Sequence, residues 1–139
     1  MSSDMGDVSG TRKKPWKLST PDGTVRFTAW RDPEGTPPAI VVLAGTEEIR
    51  FHLRSLNDLD EMLKERGDWM PLGAAEEGQA AAAGTVEAWA RSSGNPVAGW
   101  YGLTQGRRGR FASYIPPIMV ALDLAEIESA RRRLRMRAR

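Results

Sequence analysis

The chain has no cysteine and a single histidine, and both shortages restrict its chemistry. Without cysteine there is no disulfide, no thiolate zinc site and no cysteine nucleophile. The histidine, His52, falls in a predicted strand on the face opposite Phe51 and Leu53, with no obvious nucleophile nearby. A solitary histidine in this setting is more often a surface residue than a base, so we do not expect His52 to be catalytic.

Motifs typical of membrane proteins and common enzymes are also missing. No apolar stretch approaches the roughly 20 residues that span a bilayer, and the first seven residues lack the basic and then apolar run of a signal peptide. The glycine stretches 99–102 and 106–109 match neither a Walker loop nor a dinucleotide fingerprint, and no Gly-x-Ser-x-Gly elbow or calcium loop occurs. We therefore expect a cytoplasmic protein that is not an enzyme and uses neither a cofactor nor a metal.

Charge is distributed unevenly along the chain. Residues 1–98 hold 15 acidic and 11 basic side chains, whereas residues 99–139 hold 3 acidic and 9 basic ones, all nine of them arginine. The planar fork of arginine suits bidentate contact with phosphate or carboxylate better than the ammonium of lysine does. A GC-rich genome would explain the choice of arginine over lysine, but it would not explain the clustering.

The last seven residues alternate arginine with an apolar side chain at a period of two, which is typical of a β-strand with one buried face. A second cluster of arginines surrounds Gly109. Such surfaces contact a phosphate backbone or an acidic protein. The predicted contact residues are Arg107, Arg108, Arg110, Arg131, Arg132, Arg133, Arg135 and Arg137.

The five tryptophans are many for 139 residues. Most large aromatic side chains belong to a core. The alternative is a platform on which unpaired bases stack beside arginine. Trp100 and Tyr101, just before the cluster at 107–110, are the predicted stacking residues.

Hydrophobic periodicity predicts an α+β protein, in which an N-terminal antiparallel sheet with one packed helix precedes a helical segment closed by a basic C-terminal hairpin. Ser55 is predicted to cap the helix and Gly67 to end it. Ile118, Met119 and Val120 are predicted to be buried. The predicted strands cover 16–20, 25–31, 39–44, 48–53, 124–128 and 134–138, and shorter helical pieces cover 85–91, 111–115 and 118–122, the last with Pro116 and Pro117 in its first turn.

The domain organisation follows from composition. Residues 1–14 are polar and predicted to be a disordered leader, and residues 15–72 form the unit of sheet and helix. Residues 73–84 are an Ala/Gly-rich connector predicted to be mobile. Residues 85–139 form a basic, winged-helix-like unit. The length allows one compact domain, or two very small units that share a core.

Four segments carry a resemblance to a family: Gly-Asp-Trp-Met at 67–70, Gly-Thr-Val-Glu-Ala-Trp at 84–89, and the stretches 95–103 and 109–118. With these segments the chain resembles a family of small uncharacterised bacterial proteins, found mainly in actinobacteria, over roughly residues 15–139. That family has no known activity to carry over to this chain.

The C-terminal part is also similar to winged-helix regulators. Residues 116–122, then 124–128, then the arginine strand are similar to a recognition helix, its turn and a basic wing. Pro116 and Pro117 stand where such regulators have polar residues that read bases. The resemblance therefore implies contact of the hairpin with the nucleic-acid backbone rather than direct readout in the major groove.

These observations predict a non-enzymatic binding protein with nucleic acid as the favoured partner. The first alternative is a protein–protein module in which the same arginines pair with an acidic surface. The second is a small enzyme with an unrecognised site. No membrane association is expected, and the sequence does not indicate an oligomeric state.

Overall fold

The structure, a computed structural model, describes residues 9–130 and 133–139. It confirms the α+β architecture, with a four-stranded antiparallel sheet and a C-terminal hairpin. The strands are β1 Trp16–Ser19, β2 Arg26–Asp32, β3 Ala39–Ala44, β4 Glu47–His52, β5 Met70–Pro71, β6 Ala125–Ala130 and β7 Arg133–Ala138; the helices are α1 Ser55–Arg66, α2 Val86–Trp89 and α3 Phe111–Ala121.

The first sheet is the predicted meander, with strand order β1-β2-β3-β4. Its apolar run, β3, pairs on both sides and is buried from Ala39 to Val42, because a strand covered on both faces can be apolar throughout. The outer edge of β4 is covered by the segment around Tyr101. There the N–H of His52 donates to the Tyr101 carbonyl, and the N–H of Leu103 donates to that of Arg50.

The second sheet has the order β5-β7-β6, so the arginine strand β7 is its central strand. Met136 faces the core and is fully buried. β5 places Met70 opposite Met136 and Pro71 opposite Arg135. The sequence does not predict β5, because two residues carry no periodicity.

Helix α1 begins one residue earlier than the capping motif implies. Arg54 occupies the N-cap and makes no side-chain cap hydrogen bond. The prediction that Ser55 caps the helix is therefore wrong: Ser55 is buried within the first turn, and its hydroxyl has no partner among the described residues. The predicted end is confirmed, since Gly67 adopts φ 69° and its N–H donates to the Leu63 carbonyl.

Helix α3 is continuous, and the prediction of two short helical pieces is wrong. Pro116 and Pro117 lie inside it rather than in the first turn of a second helix. Proline has no N–H, so the carbonyls of Ala112 and Ser113 lose the donors that a helix ordinarily supplies. Residues 111–119 are all buried, and this burial offsets the lost hydrogen bonds.

The outer end of α3 differs from expectation at one residue. Ile118 and Met119 are fully buried, but Val120, predicted to be buried, is 43 % exposed. The helix turns Val120 and Ala121 to solvent at its C-terminal end. Because its other side chains are packed inside, α3 has no face with which to enter a nucleic-acid groove.

One hydrophobic core draws side chains from both predicted units. It joins Trp16, Phe27 and Phe51 from the first sheet region to Phe111 and Met136 from the C-terminal part. The two units therefore share a core, and the Ala/Gly-rich segment 73–84 links two parts of it rather than separate bodies.

Candidate nucleic-acid interface

The outward face of β7 presents Arg133, Arg135 and Arg137, which alternate with the inward side chains of Leu134 and Met136. The period of two in the sequence causes this separation. Because β7 lies between β5 and β6, side chains from both neighbours flank the arginine row. We call this surface the β7 face; it consists of Arg133, Arg135, Arg137, Glu126, Glu128 and Trp69.

Two arginines of the β7 face are paired across the hairpin. The register sets Glu128 opposite Arg135 and Glu126 opposite Arg137. The Nη2–Oε1 distance of the first pair is 2.5 Å, and the Nε–Oε2 distance of the second is 3.1 Å. All four side chains are about 40 % exposed or more. Such exposed pairs stabilise a fold by roughly 0–1 kcal/mol, so another anion can compete for the guanidinium groups.

Arg133 is the exposed arginine of the β7 face without an ion pair. It stands opposite Ala130 at the start of β7 and finds no carboxylate within the described part of the chain. Arg131 and Arg132, predicted contact residues next to it in the sequence, lie outside the described residues.

Trp69 supplies an aromatic ring at the other end of the β7 face. The guanidinium carbons of Arg135 and Arg137 lie 4.7 and 4.5 Å from its ring centre, which is the range of a cation–π contact. Sequence reasoning did not select Trp69. Its place beside β7 depends on β5, a strand too short to recognise.

A groove of about 720 Å³ opens beside the β7 face. It lies where the β1–β2 turn, the segment after β5, the first turn of α3 and the start of β7 meet, and its size falls in the range of small-molecule sites. The lining includes the apolar residues Pro21, Pro71, Leu72, Ala112 and Leu134 and the polar residues Thr20, Asp22, Ser113 and Arg133. Hydrogen bonds from Thr20 and Thr24 hold the pKa of Asp22 below its ordinary value, so this carboxyl group is ionised near neutral pH.

The second predicted cluster lies elsewhere and is engaged within the protein. Arg107 pairs with Glu47. Arg108 lies 3.0 Å from Glu77, and Arg110 lies 3.1 Å from Glu76. The hydrogen bonds from Arg108 also lower the pKa of Glu77. Within the described residues these three arginines share no carboxylate and no aromatic ring with the arginines of β7.

These contacts fasten the Ala/Gly-rich segment. Arg91 donates to the carbonyls of Ala75, Glu76 and Gln79, and the Arg110 N–H donates to Ala75. Gly109 packs so closely on the backbone of residues 75–77 that a Cβ would not fit. These partners are distant in sequence, so the composition that predicts a mobile connector gives no sign of them. We call Arg91, Arg108 and Arg110 the arginine clamp.

Glu87 anchors the arginine clamp, because it contacts both Arg91 and the start of α3. Its side chain is 1 % exposed and accepts from the N–H groups of Phe111 and Ala112 at the start of α3. Its Oε2 also lies 2.8 Å from Arg91 Nη2. A carboxylate at a helix N-terminus satisfies free N–H groups and matches the helix dipole. Sequence reasoning did not select Glu87; the signal is the Glu–Arg spacing of four in a short helix.

The two predicted stacking residues differ in exposure: Trp100 is part-exposed, whereas Tyr101 is buried. Arg91 and Arg108 already lie over the ring of Trp100, at 4.4 and 4.6 Å. Tyr101 is fully buried, and its hydroxyl donates to Asp58 at 2.8 Å. Burial and this hydrogen bond raise the pKa of Tyr101. The stacking prediction for Tyr101 is therefore wrong, because a buried ring has no open face.

His52 is half-buried rather than a plain surface residue. Its ring meets that of Tyr101 edge-on, with ring centres 6.2 Å apart. Burial lowers the pKa of His52, and the nearby charge of Arg54 acts in the same direction. Among residues 9–130 and 133–139, no group of three His, Asp or Glu side chains is placed to hold a metal ion.

The geometry defines a small α+β protein with an arginine-lined sheet face beside a groove. The chain belongs to DUF6855, a family of unknown function, which matches residues 8–139. No curated protein and no solved structure matches the chain. Within the described part of the chain, no helix is long and apolar enough to cross a membrane. The similarity to winged-helix regulators stays a prediction.

Proposed function

We propose that this protein binds single-stranded nucleic acid, without catalysis, through the β7 face. The observation that supports the proposal is the row of Arg133, Arg135 and Arg137 on one exposed face with Trp69. Guanidinium groups contact phosphates, and an aromatic ring offers a sequence-tolerant surface to a base.

A single strand suits this surface better than a duplex does. Recognition of a duplex commonly places a helix or ribbon in the major groove, and α3 is buried on all but its last positions. Affinity for a duplex also grows with the number of phosphates neutralised. Glu126 and Glu128 cancel part of the charge of the β7 face, which leaves stacking with a larger share of the binding energy.

Phosphate groups would replace the two carboxylates rather than add to them. Each pair is exposed and weak, so exchange of a carboxylate for a phosphate costs little. Arg133 needs no exchange, since it has no carboxylate partner in the described part of the chain. We therefore expect modest affinity and a moderate dependence on salt.

The test is fluorescence anisotropy with a labelled single strand and the matching duplex at several salt concentrations. We expect tighter binding of the single strand. The R133Q variant should bind more weakly, and its log–log salt slope should be smaller by about 0.7, the value for one phosphate on a single strand.

R26Q is the matched control. Arg26 is also an exposed strand arginine without an ion pair in the described region, but it lies on β2, outside the β7 face. R26Q should bind as the wild-type protein does. No binding at micromolar protein near physiological salt, or equal losses in R26Q and R133Q, would overturn the proposal.

An acidic protein partner is the second candidate, and the outer edge of β6 favours it. In the described residues β6 pairs with β7 alone. An open strand edge can accept a strand from another protein, next to the arginines of β7. A pulldown that recovers one acidic protein in stoichiometric amount, and loses it in R133Q but not in R26Q, would favour this candidate over nucleic acid.

A further inference from the structure

The groove beside the β7 face has the carboxylate of Asp22 in its wall. Asp22 Oδ1 accepts hydrogen bonds from the hydroxyl of Thr20 and from the N–H and hydroxyl of Thr24. The second oxygen, Oδ2, has no partner among the described residues. Asp22 thus offers a fixed, charged acceptor to whatever occupies the groove.

The first turn of α3 adds the hydroxyl of Ser113, which can donate and accept. Ala112 and Ser113 line the groove, and Pro116 and Pro117 remove the N–H groups that would ordinarily bond to their carbonyls. The Ser113 hydroxyl also has no hydrogen-bond partner within the described residues. A ligand group that faces Asp22 has to be a hydrogen-bond donor, because two acceptors facing each other leave both unsatisfied.

The remaining walls suit a flat, apolar body joined to an anion. Pro71, Leu72 and Leu134 give the groove apolar surface, and Arg133, a lining residue with no ion pair in the described part of the chain, adds a cation. The groove is continuous with the β7 face, since Trp69 and Arg135 line both. A ring with a donor on its edge and a phosphate attached through a sugar combines these properties.

We propose that the groove receives one nucleobase that carries an amino group, with Asp22 accepting from that amino group and Arg133 contacting the phosphate. This inference rests on the proposed function and names the chemistry of its specific subsite. Cytosine, adenine and guanine present an amino group, whereas uracil and thymine present a carbonyl oxygen at the position where cytosine has its amino group.

The test compares CMP with UMP, which differ in the exocyclic group at C4 and in N3, an acceptor in CMP and an N–H donor in UMP. Titrations of the isotope-labelled protein by two-dimensional NMR would follow the indole N–H of Trp69 and the amide of Ser113. We expect CMP to bind about tenfold more tightly than UMP, the size of one hydrogen bond to a charged acceptor. AMP against inosine monophosphate repeats the comparison on a purine without any substitution in the protein.

Two variants locate the effect. D22N keeps Oδ1 for Thr20 and Thr24 but puts an amide nitrogen in place of Oδ2. That nitrogen donates and does not accept, so the preference for CMP should be lost. E65Q removes an exposed carboxylate from α1, outside the groove, and should leave the preference unchanged.

The outcomes separate this inference from the proposed function. Equal binding of CMP and UMP, together with equal binding of AMP and inosine monophosphate, overturns the base subsite even when single strands bind. A CMP preference that is lost in D22N supports the subsite. If that preference occurs in a protein that binds no single strand, the proposed function fails and the groove remains a site for free nucleotides.

Discussion

The two arginine clusters of this chain resemble each other in sequence and differ in structure. Arg107, Arg108 and Arg110 pair with carboxylates 60, 31 and 34 residues away in the chain. Arg135 and Arg137 pair with carboxylates only 7 and 11 residues away, across one hairpin. Long-range ion pairs join separate segments of the chain. Ion pairs within a hairpin join two strands that backbone hydrogen bonds already hold together, and they leave the arginine face exposed.

The difference shows that clustering of arginine does not by itself indicate a binding surface. The cluster at 107–110 contacts the segment 73–84, which is rich in alanine and glycine. Its guanidinium groups supply contacts that these small residues cannot make. The β7 arginines belong to a strand that is stabilised by Met136 and by two neighbours. Their ion pairs lie within one hairpin and join no distant segment, and three pairs of variants test this division.

The largest expected effect is at Glu87, which anchors the clamp. E87A leaves the N–H groups of Phe111 and Ala112 and the guanidinium of Arg91 without their buried acceptor. Breaking a buried ion pair in this way costs about 3–5 kcal/mol, which urea unfolding would measure. E65A, at an exposed glutamate of α1, is the control and should stay within about 0.5 kcal/mol of wild type. Similar values for the two variants would mean that Glu87 does not anchor α3.

The sequence predicted the parts of the fold that depend on local periodicity. The strands of the meander, helix α1 with its end at Gly67 and the terminal hairpin all have patterns that extend over several residues. It failed at α3, where proline is locally unfavourable and burial of the surrounding side chains decides the outcome. It also failed at β5, because pairing with β7 is a long-range contact that two residues cannot reveal.

We expect an intermediate effect when Arg108, an exposed member of the arginine clamp, is substituted. R108Q removes the bidentate contact with Glu77 and the guanidinium over Trp100. The segment 73–84 should then exchange its amide hydrogens faster, as mass spectrometry of its peptides would show, while single-strand binding is unchanged. R137Q is the control with the opposite expected result: weaker single-strand binding and unchanged amide hydrogen exchange in the segment 73–84. If R108Q weakens binding as much as R137Q does, the cluster at 107–110 belongs to the interface.

The candidate site was only partly predictable for a related reason. The alternation in β7 places its arginines on one face, and this period of two is evident in the sequence. Which arginines are already paired depends on Glu47, Glu76 and Glu77, whose proximity the chain order does not reveal. Likewise Trp69 and Trp100 are equivalent in composition, and the tertiary fold alone sets Trp69 on the β7 face and Trp100 in the clamp.

The smallest expected effect comes from removing one carboxylate from each cluster. E128Q frees Arg135 on the β7 face and removes a negative charge that repels phosphate, so single-strand binding should tighten by about threefold, in line with the weakness of exposed pairs. E76Q frees Arg110 in the same isosteric way but should leave binding unchanged, because the clamp does not contact the strand. Anisotropy titrations of both variants at one salt concentration suffice. Tighter binding by E76Q than by E128Q would reverse the assignment of the two clusters, since the arginine released near Gly109 would then be the one that meets the phosphate.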